Sequence, residues 1–393
     1  VNDADVLGKE ADHRVRPQTT AEVQEILRAA QSAGRAVLPW GGGTGQDYGL
    51  PPRKADTILD LSGLNRLIAH EYADMTVTVE AGMPLAQLQE QLARHGQFLP
   101  LDPPQPEKAT IGGILATNAS GPLRLGYGTP RDWLIGLSVV DAQGRLVKGG
   151  GKVVKNVTGY DLPKLHIGAL GTLGVIVEAT FKVSPRPETA RTLVAQASPA
   201  SELTPAATRL WRETQPVSLL LHEDHQGRFL VALYHGSAAV TGQAAERGAT
   251  IAQECRLSAA QSYDGELVPE SPVAPVQVRL STSASEAIPL HDAAVDALAG
   301  TGVILDSWLG VGTLTLTWET ADERALQGAQ KALLLAKTRG VRFALLHGPL
   351  ALRQNNLETL WFPAPSARVL HERIKEALDP YNVLNPGRFV CGI

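Results

Sequence analysis

Cysteine is nearly missing from this chain: Cys255 and Cys391 are the only two in 393 residues, far apart and in no CxxC spacing. Two thiols cannot supply the four thiolates that an iron–sulfur cluster requires. In a cytosolic protein they are expected to stay reduced. Aromatic residues make up 5%, too few for a surface that stacks nucleic-acid bases. A net charge of −4 gives no electrostatic reason to bind nucleic acid or an acidic membrane. No apolar run reaches the roughly 18 residues of a membrane-spanning helix. The polar, acidic opening Val1-Asn2-Asp3-Ala4-Asp5 is unlike a secretory signal. These absences point to a cytoplasmic location. No short fixed repeat is visible, which excludes a solenoid.

What the chain does have is glycine in clusters. Pro39-Trp40-Gly41-Gly42-Gly43-Thr44-Gly45-Gln46 is the first, and Thr110-Ile111-Gly112-Gly113 the second. The third runs from Lys155-Asn156-Val157-Thr158-Gly159-Tyr160-Asp161 to Gly168-Ala169-Leu170-Gly171-Thr172-Leu173-Gly174. Glycine permits positive φ and close ligand approach, and successive amides in such a turn form a concave anion site. Three such segments predict one large phosphate-bearing cofactor gripped at several points. The common nucleotide patterns do not fit. Gln46 stands where GxGxxG counted from Gly41 needs its third glycine, and no Gly-Lys-Ser/Thr occurs, so neither a Rossmann nor a Walker site is supported.

Length predicts two domains, with a boundary near residues 185–205. Thr19 and Glu22 have the spacing of a capping box. Val23, Ile26, Leu27 and Ala30 come after it at helical spacing. Ala36-Val37-Leu38 reads as a strand leading straight into the first glycine loop. Thr57–Leu61, Thr76–Ala81, Leu134–Val140 and Val175–Val183 read as further strands. Ser198–Pro205 reads as a loop. Beyond it come strands at 218–221, 229–234, 276–280 and 313–318, a helix over 322–337, a strand at 341–346 and a last helix over 366–378. The fold class expected is α+β, with an antiparallel sheet layered by helices in the second part.

The motifs together resemble those of the vanillyl-alcohol oxidase/p-cresol methylhydroxylase superfamily of flavoproteins. The stretch from Pro39 to Gly45 is similar to its pyrophosphate loop, and Thr110–Gly113 through Asn118-Ala119-Ser120-Gly121 to its second cofactor segment. Gly126-Tyr127-Gly128 and Arg131-Asp132 are similar to the family's residues just beyond that segment. Lys155–Leu162 with Gly171-Thr172-Leu173-Gly174-Val175-Ile176 resembles the third segment. Asp379-Pro380 with Leu384-Asn385-Pro386-Gly387-Arg388 resembles the C-terminal signature. Within the superfamily the likeness is nearest to the smaller FAD-binding subunits of bacterial glycolate oxidases. The resemblance implies a two-subdomain FAD-binding domain over 1–187 and an antiparallel α+β domain over 188–393 for substrate and subunit contact. Its last segment, 379–393, would return to the flavin domain. It implies oxidation of a small 2-hydroxy acid, glycolate or D-lactate, to a 2-oxo acid. Electrons would pass through flavin to a separate iron–sulfur subunit, in a complex that also holds a larger flavin subunit, so the protein would meet the inner membrane face only through its partners. No nucleic acid and no direct membrane insertion are expected.

The cofactor residues that the resemblance implies begin with Pro39, Trp40, Gly41, Gly42, Gly43, Thr44, Gly45 and Gln46. Thr110, Gly112, Gly113, Asn118 and Gly121 come next, then Lys155, Asn156, Thr158, Gly159, Tyr160 and Asp161. Gly171, Gly174, Val175, Ile176 and Asn385 complete the set. Relatives with covalent flavin often carry a histidine in the first loop. Here Gly43 and Thr44 occupy that stretch, so non-covalent FAD is expected. Gly42→Val is expected to obstruct the cofactor's path. The catalytic candidates are His347 and Arg279. The stretch Leu346-His347-Gly348-Pro349 resembles a metal- or substrate-binding motif that lacks its flanking Glu and second His. One His cannot make a metal site, which needs about three protein ligands, so no metal is expected. Arg279 offers bidentate bonds to a substrate carboxylate. Trp308 and Trp318 read as packing residues. Two alternatives stay open: a catalytically weak FAD-binding electron-transfer or assembly subunit, and a stand-alone flavin alcohol oxidase.

Overall fold

The computed structural model describes residues 8–151, 161–268, 274–354, 361–363 and 365–393. The chain opens with a small parallel sheet in which Thr57–Asp60 lies between His13–Val15 and Val37–Trp40. The helix Thr20–Ser32 starts where the spacing predicts: Thr19 accepts from the Glu22 amide, and the Glu22 carboxylate takes the Gln18 amide. Its Val23, Leu27 and Ala30 are buried.

A five-stranded antiparallel sheet comes next, in the order Leu67–Glu71, Thr76–Glu80, Val175–Lys182, Leu134–Val140, Leu146–Gly150. The helices Leu85–Ala93 and Ile111–Thr117 share its core through Leu85, Leu88, Leu92 and Ile111, Ile114, Leu115. Fully burying one such leucine contributes about 1.5–3 kcal/mol. Parallel pairing among the named strands of the described residues is confined to the three-stranded sheet, so there is no doubly wound nucleotide sheet here.

The second half is a nine-stranded antiparallel sheet. Its order is Ser258–Asp264, Thr189–Ala197, Gly227–Gly236, Ser218–Asp224, Ile304–Trp308, Thr313–Trp318, Val276–Ser281, Arg342–His347, Trp361–Phe362. Helices Leu203–Thr214 and Ala238–Glu254 cover one stretch, and Ala287–Ala297 and Glu323–Arg339 the other. The period of two then decides the sheet's other face. Val276, Val278 and Leu280 enter the helix-covered core, so Gln277 and Arg279 point away from it, with Arg279 opposite Thr315. Pro205 corrects the expected loop: it sits in the first turn of Leu203–Thr214, where its missing N–H has no helical acceptor to lose. Trp318 packs in the core as expected, its indole on Thr301.

The end of the chain comes back to the beginning. The Val37 amide donates to Val383 O and the Asn385 amide to Val37 O, so Leu384 pairs in parallel with Val37. Behind this joint, Lys375 Nζ donates to Thr172 O at 2.8 Å, Leu384 O at 2.8 Å and Asp379 Oδ2 at 2.6 Å, with both charged side chains buried. The other acceptor positions of Asp379 take the amides of Val383 and Leu384.

Candidate functional site

The first glycine loop leaves the strand Val37–Trp40 and is closed by the Gln46 amide on Gly43 O, with Gly43 at φ +77. The four successive amides of Gly42, Gly43, Thr44 and Gly45 donate no hydrogen bond among the described residues. A run of successive N–H groups without acceptors in the protein can serve as an anion cradle. The loop lies hard against the second glycine segment. A Cβ on Gly41 would meet Thr110 Oγ1 at 2.1 Å, and one on Gly42 would meet Lys108 O at 1.7 Å. Gly42 is therefore needed by backbone packing inside the protein, a reason that stands beside the expected obstruction of the cofactor's path. Gly113 differs: its Cβ would meet only Thr110 Oγ1, at 3.3 Å.

These segments wall one cleft of about 700 Å³, open to solvent. All eight residues from Pro39 to Gln46 line it. So do Thr110, Gly112, Gly113, Gly171, Gly174 and Ile176, with Asn385. The C-terminal return contributes Asn385 and Arg388. Asn385 Nδ2 holds Leu170 O and Arg388 Nη2 holds Gln46 O, but Asn385 Oδ1 and Arg388 Nη1 are buried with no partner. A buried unsatisfied polar atom is costly, so both atoms call for a ligand. Burial pushes the Arg388 guanidinium down to about 10.

Other residues predicted from sequence lie elsewhere. Asn118 ends the helix Ile111–Thr117 at φ 51 and is not on the cleft wall. Gly121 donates its amide to Asp102 and lines a second cleft. Val175 is buried in a core cluster. Asp161 is on the surface, ion-paired with Lys164. Lys155, Asn156, Thr158, Gly159 and Tyr160 lie outside the described residues. His347 ends its strand with Nδ1 3.2 Å from Asp47 Oδ2, and this contact, more than any other, holds the Asp47 carboxyl below the usual range. Among the described residues no group of three or more His, Cys, Asp or Glu is placed to hold a metal ion. Nor is any described helix long and apolar enough to cross a membrane. Sequence reading missed Tyr48, Leu170 and Arg388 as walls of the cleft. Only Arg388 carried a signal, in the Asn-Pro-Gly-Arg run.

The second cleft is larger, about 2470 Å³ including solvent at its mouth, and lies between the two halves of the chain. Arg124, Arg186, Gln277, Arg279 and Trp308 line it. Tyr48 links the clefts: it lines the first, and its hydroxyl is 3.5 Å from Arg279 Nη2. On another wall His235 Nε2 is 3.0 Å from Glu266 Oε1, and behind it Tyr127 Oη is 3.0 Å from His235 Nδ1. Asp102 accepts the Gly121 and Leu123 amides, yet burial pushes its carboxyl up to about 7.

Residues 11–150 match the family model described as FAD binding domain. A Bacillus subtilis protein named glycolate oxidase subunit GlcD is 36% identical over 184 residues, covering 47% of this chain and 39% of that protein. A D-2-hydroxyglutarate dehydrogenase of Xanthomonas citri pv. viticola is 39% identical over 171 residues, covering 44% of this chain and 36% of the relative. The match thus spans less than half the length of either relative. Among solved structures, p-cresol methylhydroxylase with substrate bound superposes with a TM-score of 0.72 at 16% identity, over 95% of this chain and 88% of that one. That likeness extends the agreement in fold to the nine-stranded sheet.

Proposed function

We propose, for a chain that belongs to the FAD-binding superfamily of the p-cresol methylhydroxylase/vanillyl-alcohol oxidase type, the role of FAD-binding subunit in a glycolate oxidase-like complex. In this reading a 2-hydroxy acid, glycolate or D-lactate, is oxidised to the 2-oxo acid, and electrons leave through flavin to a partner iron–sulfur subunit. The observation that carries it is the row of four undonated amides from Gly42 to Gly45, set in one cleft with the unpartnered Asn385 Oδ1 and Arg388 Nη1. That donor set fits FAD: the amides suit its pyrophosphate, and an amide oxygen with a guanidinium suits polar ring or ribityl groups. Bound FAD supplies a two-electron acceptor for the hydroxyl-bearing carbon. The chain's own residues bind and orient: the amides neutralise phosphate charge, and Arg279 in the adjoining cleft holds a carboxylate.

A second reading is favoured by His347, whose partner is Asp47 in the glycine loop. With that histidine engaged within the protein, the chain would bind FAD and serve electron transfer or assembly. Turnover of glycolate with a dye acceptor separates the readings. The chain alone, and the chain mixed with a second flavoprotein and a cysteine-rich partner, are compared. Turnover only in the mixture, surviving Arg279→Ala and His347→Ala, marks the non-catalytic role. Full turnover by the isolated chain removes the complex and leaves a stand-alone oxidase.

The flavin is held without a covalent bond in this proposal. Acid precipitation is then expected to leave yellow flavin in the supernatant. Colour that stays with the pellet contradicts it.

A further inference from the structure

Two arginines in the second cleft form no ion pair among the described residues. Arg124 belongs to the short helix Arg124–Tyr127 of the N-terminal half, and Arg279 to the strand Val276–Ser281 of the large sheet. Both line the same cleft and both are half-buried. Neither forms an ion pair with any described residue, and the Arg279 guanidinium lies against the Tyr48 hydroxyl and ring. The cleft's own carboxylates are engaged elsewhere or distant. Asp102 is held by two backbone amides, Glu266 stands against His235, and Glu90, at an exposed position, makes no ion pair. Asp132, the one carboxylate whose charge favours the Arg124 cation, accepts from the Thr129 amide and hydroxyl. Burial and then the Arg279 charge both push the Arg124 guanidinium down.

The position of Arg124 is built. The Gly126 amide donates to Val217 O at 2.9 Å, and a Cβ on Gly310 would lie 2.2 Å from the Leu125 side chain. The helix is thus held against the large sheet through the two residues that follow Arg124. Around Arg279 the sheet face is polar, with Gln277, Thr313 and Thr315 also lining the cleft. Two desolvated like charges without a counter-ion cost free energy in the empty state. A ligand bearing a carboxylate converts that cost into charge-assisted hydrogen bonds from two forks.

We propose that Arg124 and Arg279 form one carboxylate-binding site at the junction of the two clefts, bridging the two halves of the chain, with Arg124 a substrate-anchoring residue. The inference rests on the proposed hydroxy-acid reading for the substrate's identity. The site itself rests on the two unneutralised guanidinia. The ligand class is a small carboxylic acid whose polar remainder faces the Thr313 and Thr315 hydroxyls. Its carboxylate relieves the repulsion between the halves, so binding and stability are coupled.

The test titrates oxalate, a carboxylate that cannot be oxidised as an alcohol, into the full-length flavin-loaded chain by calorimetry at constant ionic strength. Flavin content is read separately by absorbance. One oxalate site per chain is expected. Arg124→Gln and Arg279→Gln should each weaken it about ten- to a hundredfold, the range for hydrogen bonds to charged groups. Without oxalate, Arg124→Gln should melt no lower than the parent, because a like-charge contact has gone. Unchanged oxalate affinity in Arg124→Gln at normal flavin content overturns the proposal. So does a parent that gives no oxalate heat, or one that sulfate stabilises as well as oxalate does. A chain that takes up no flavin yet binds oxalate through both arginines would sink the flavoenzyme reading and leave this site standing.

Discussion

Lys375→Met is expected to destabilise the protein by about 3–5 kcal/mol, the usual cost of removing one partner from a buried ion pair. Lys375 is 6% exposed, and its three acceptors are the Thr172 and Leu384 carbonyls and the Asp379 carboxylate. Methionine fills the volume but takes one donor from each of the three. Asp379, 2% exposed, would then keep a buried negative charge balanced only by the Val383 and Leu384 amides. Urea unfolding of the parent and the variant measures the difference. The double variant Lys375→Met, Asp379→Asn should recover part of the loss, because the stranded charge has gone. A single-variant loss below about 1 kcal/mol, the value of a surface pair, would mean that water reaches this joint.

The second large effect is on flavin content, and two glycines separate its causes. Gly42→Val places Cβ against the Lys108 backbone, where the clash is 1.7 Å to a carbonyl oxygen. The loop and the Lys108–Thr110 segment must then move apart, so both flavin content and thermal stability should fall. Gly113→Val adds a side chain on the cleft wall whose Cβ meets Thr110 Oγ1 at 3.3 Å. It should remove most bound flavin while the melting temperature of the flavin-free protein stays close to that of the parent. Normal flavin content in Gly113→Val would remove FAD from this cleft. Loss of flavin in Gly42→Val without loss of stability would restore the simpler view that only the cofactor excludes a side chain there.

Glycine was the legible element of this chain because its signal is local. A run such as Gly41-Gly42-Gly43 after the apolar Ala36-Val37-Leu38 announces a turn at a strand's end, and that is where the loop lies. The cap at Thr19 was legible for the same reason, since Thr19 and Glu22 are three residues apart. The second cleft was not. Arg124, His235, Glu266 and Arg279 come from four segments, and nothing in the spacing of single charged residues tells a cleft from a solvated surface. The reason for Gly42 was also hidden, because its close neighbour Lys108 is 66 positions away by numbering and makes contact through its backbone. Asn118 was read as a ligand-binding residue from its place in a motif. In the structure its left-handed φ serves to end a helix, a role that asparagine fills often.

The return of the chain's end to the first glycine loop has a consequence for how the protein is made. Arg388 reaches back 342 positions to hold the Gln46 carbonyl, and Asn385 reaches back 215 to hold Leu170. During translation the glycine turn leaves the ribosome long before the residues that brace it. Earlier segments fold in order as they emerge, yet this cleft has to wait for residues 385–388. A chain cut just before Asn385 would keep every strand of the large sheet and lack one wall of the proposed flavin pocket.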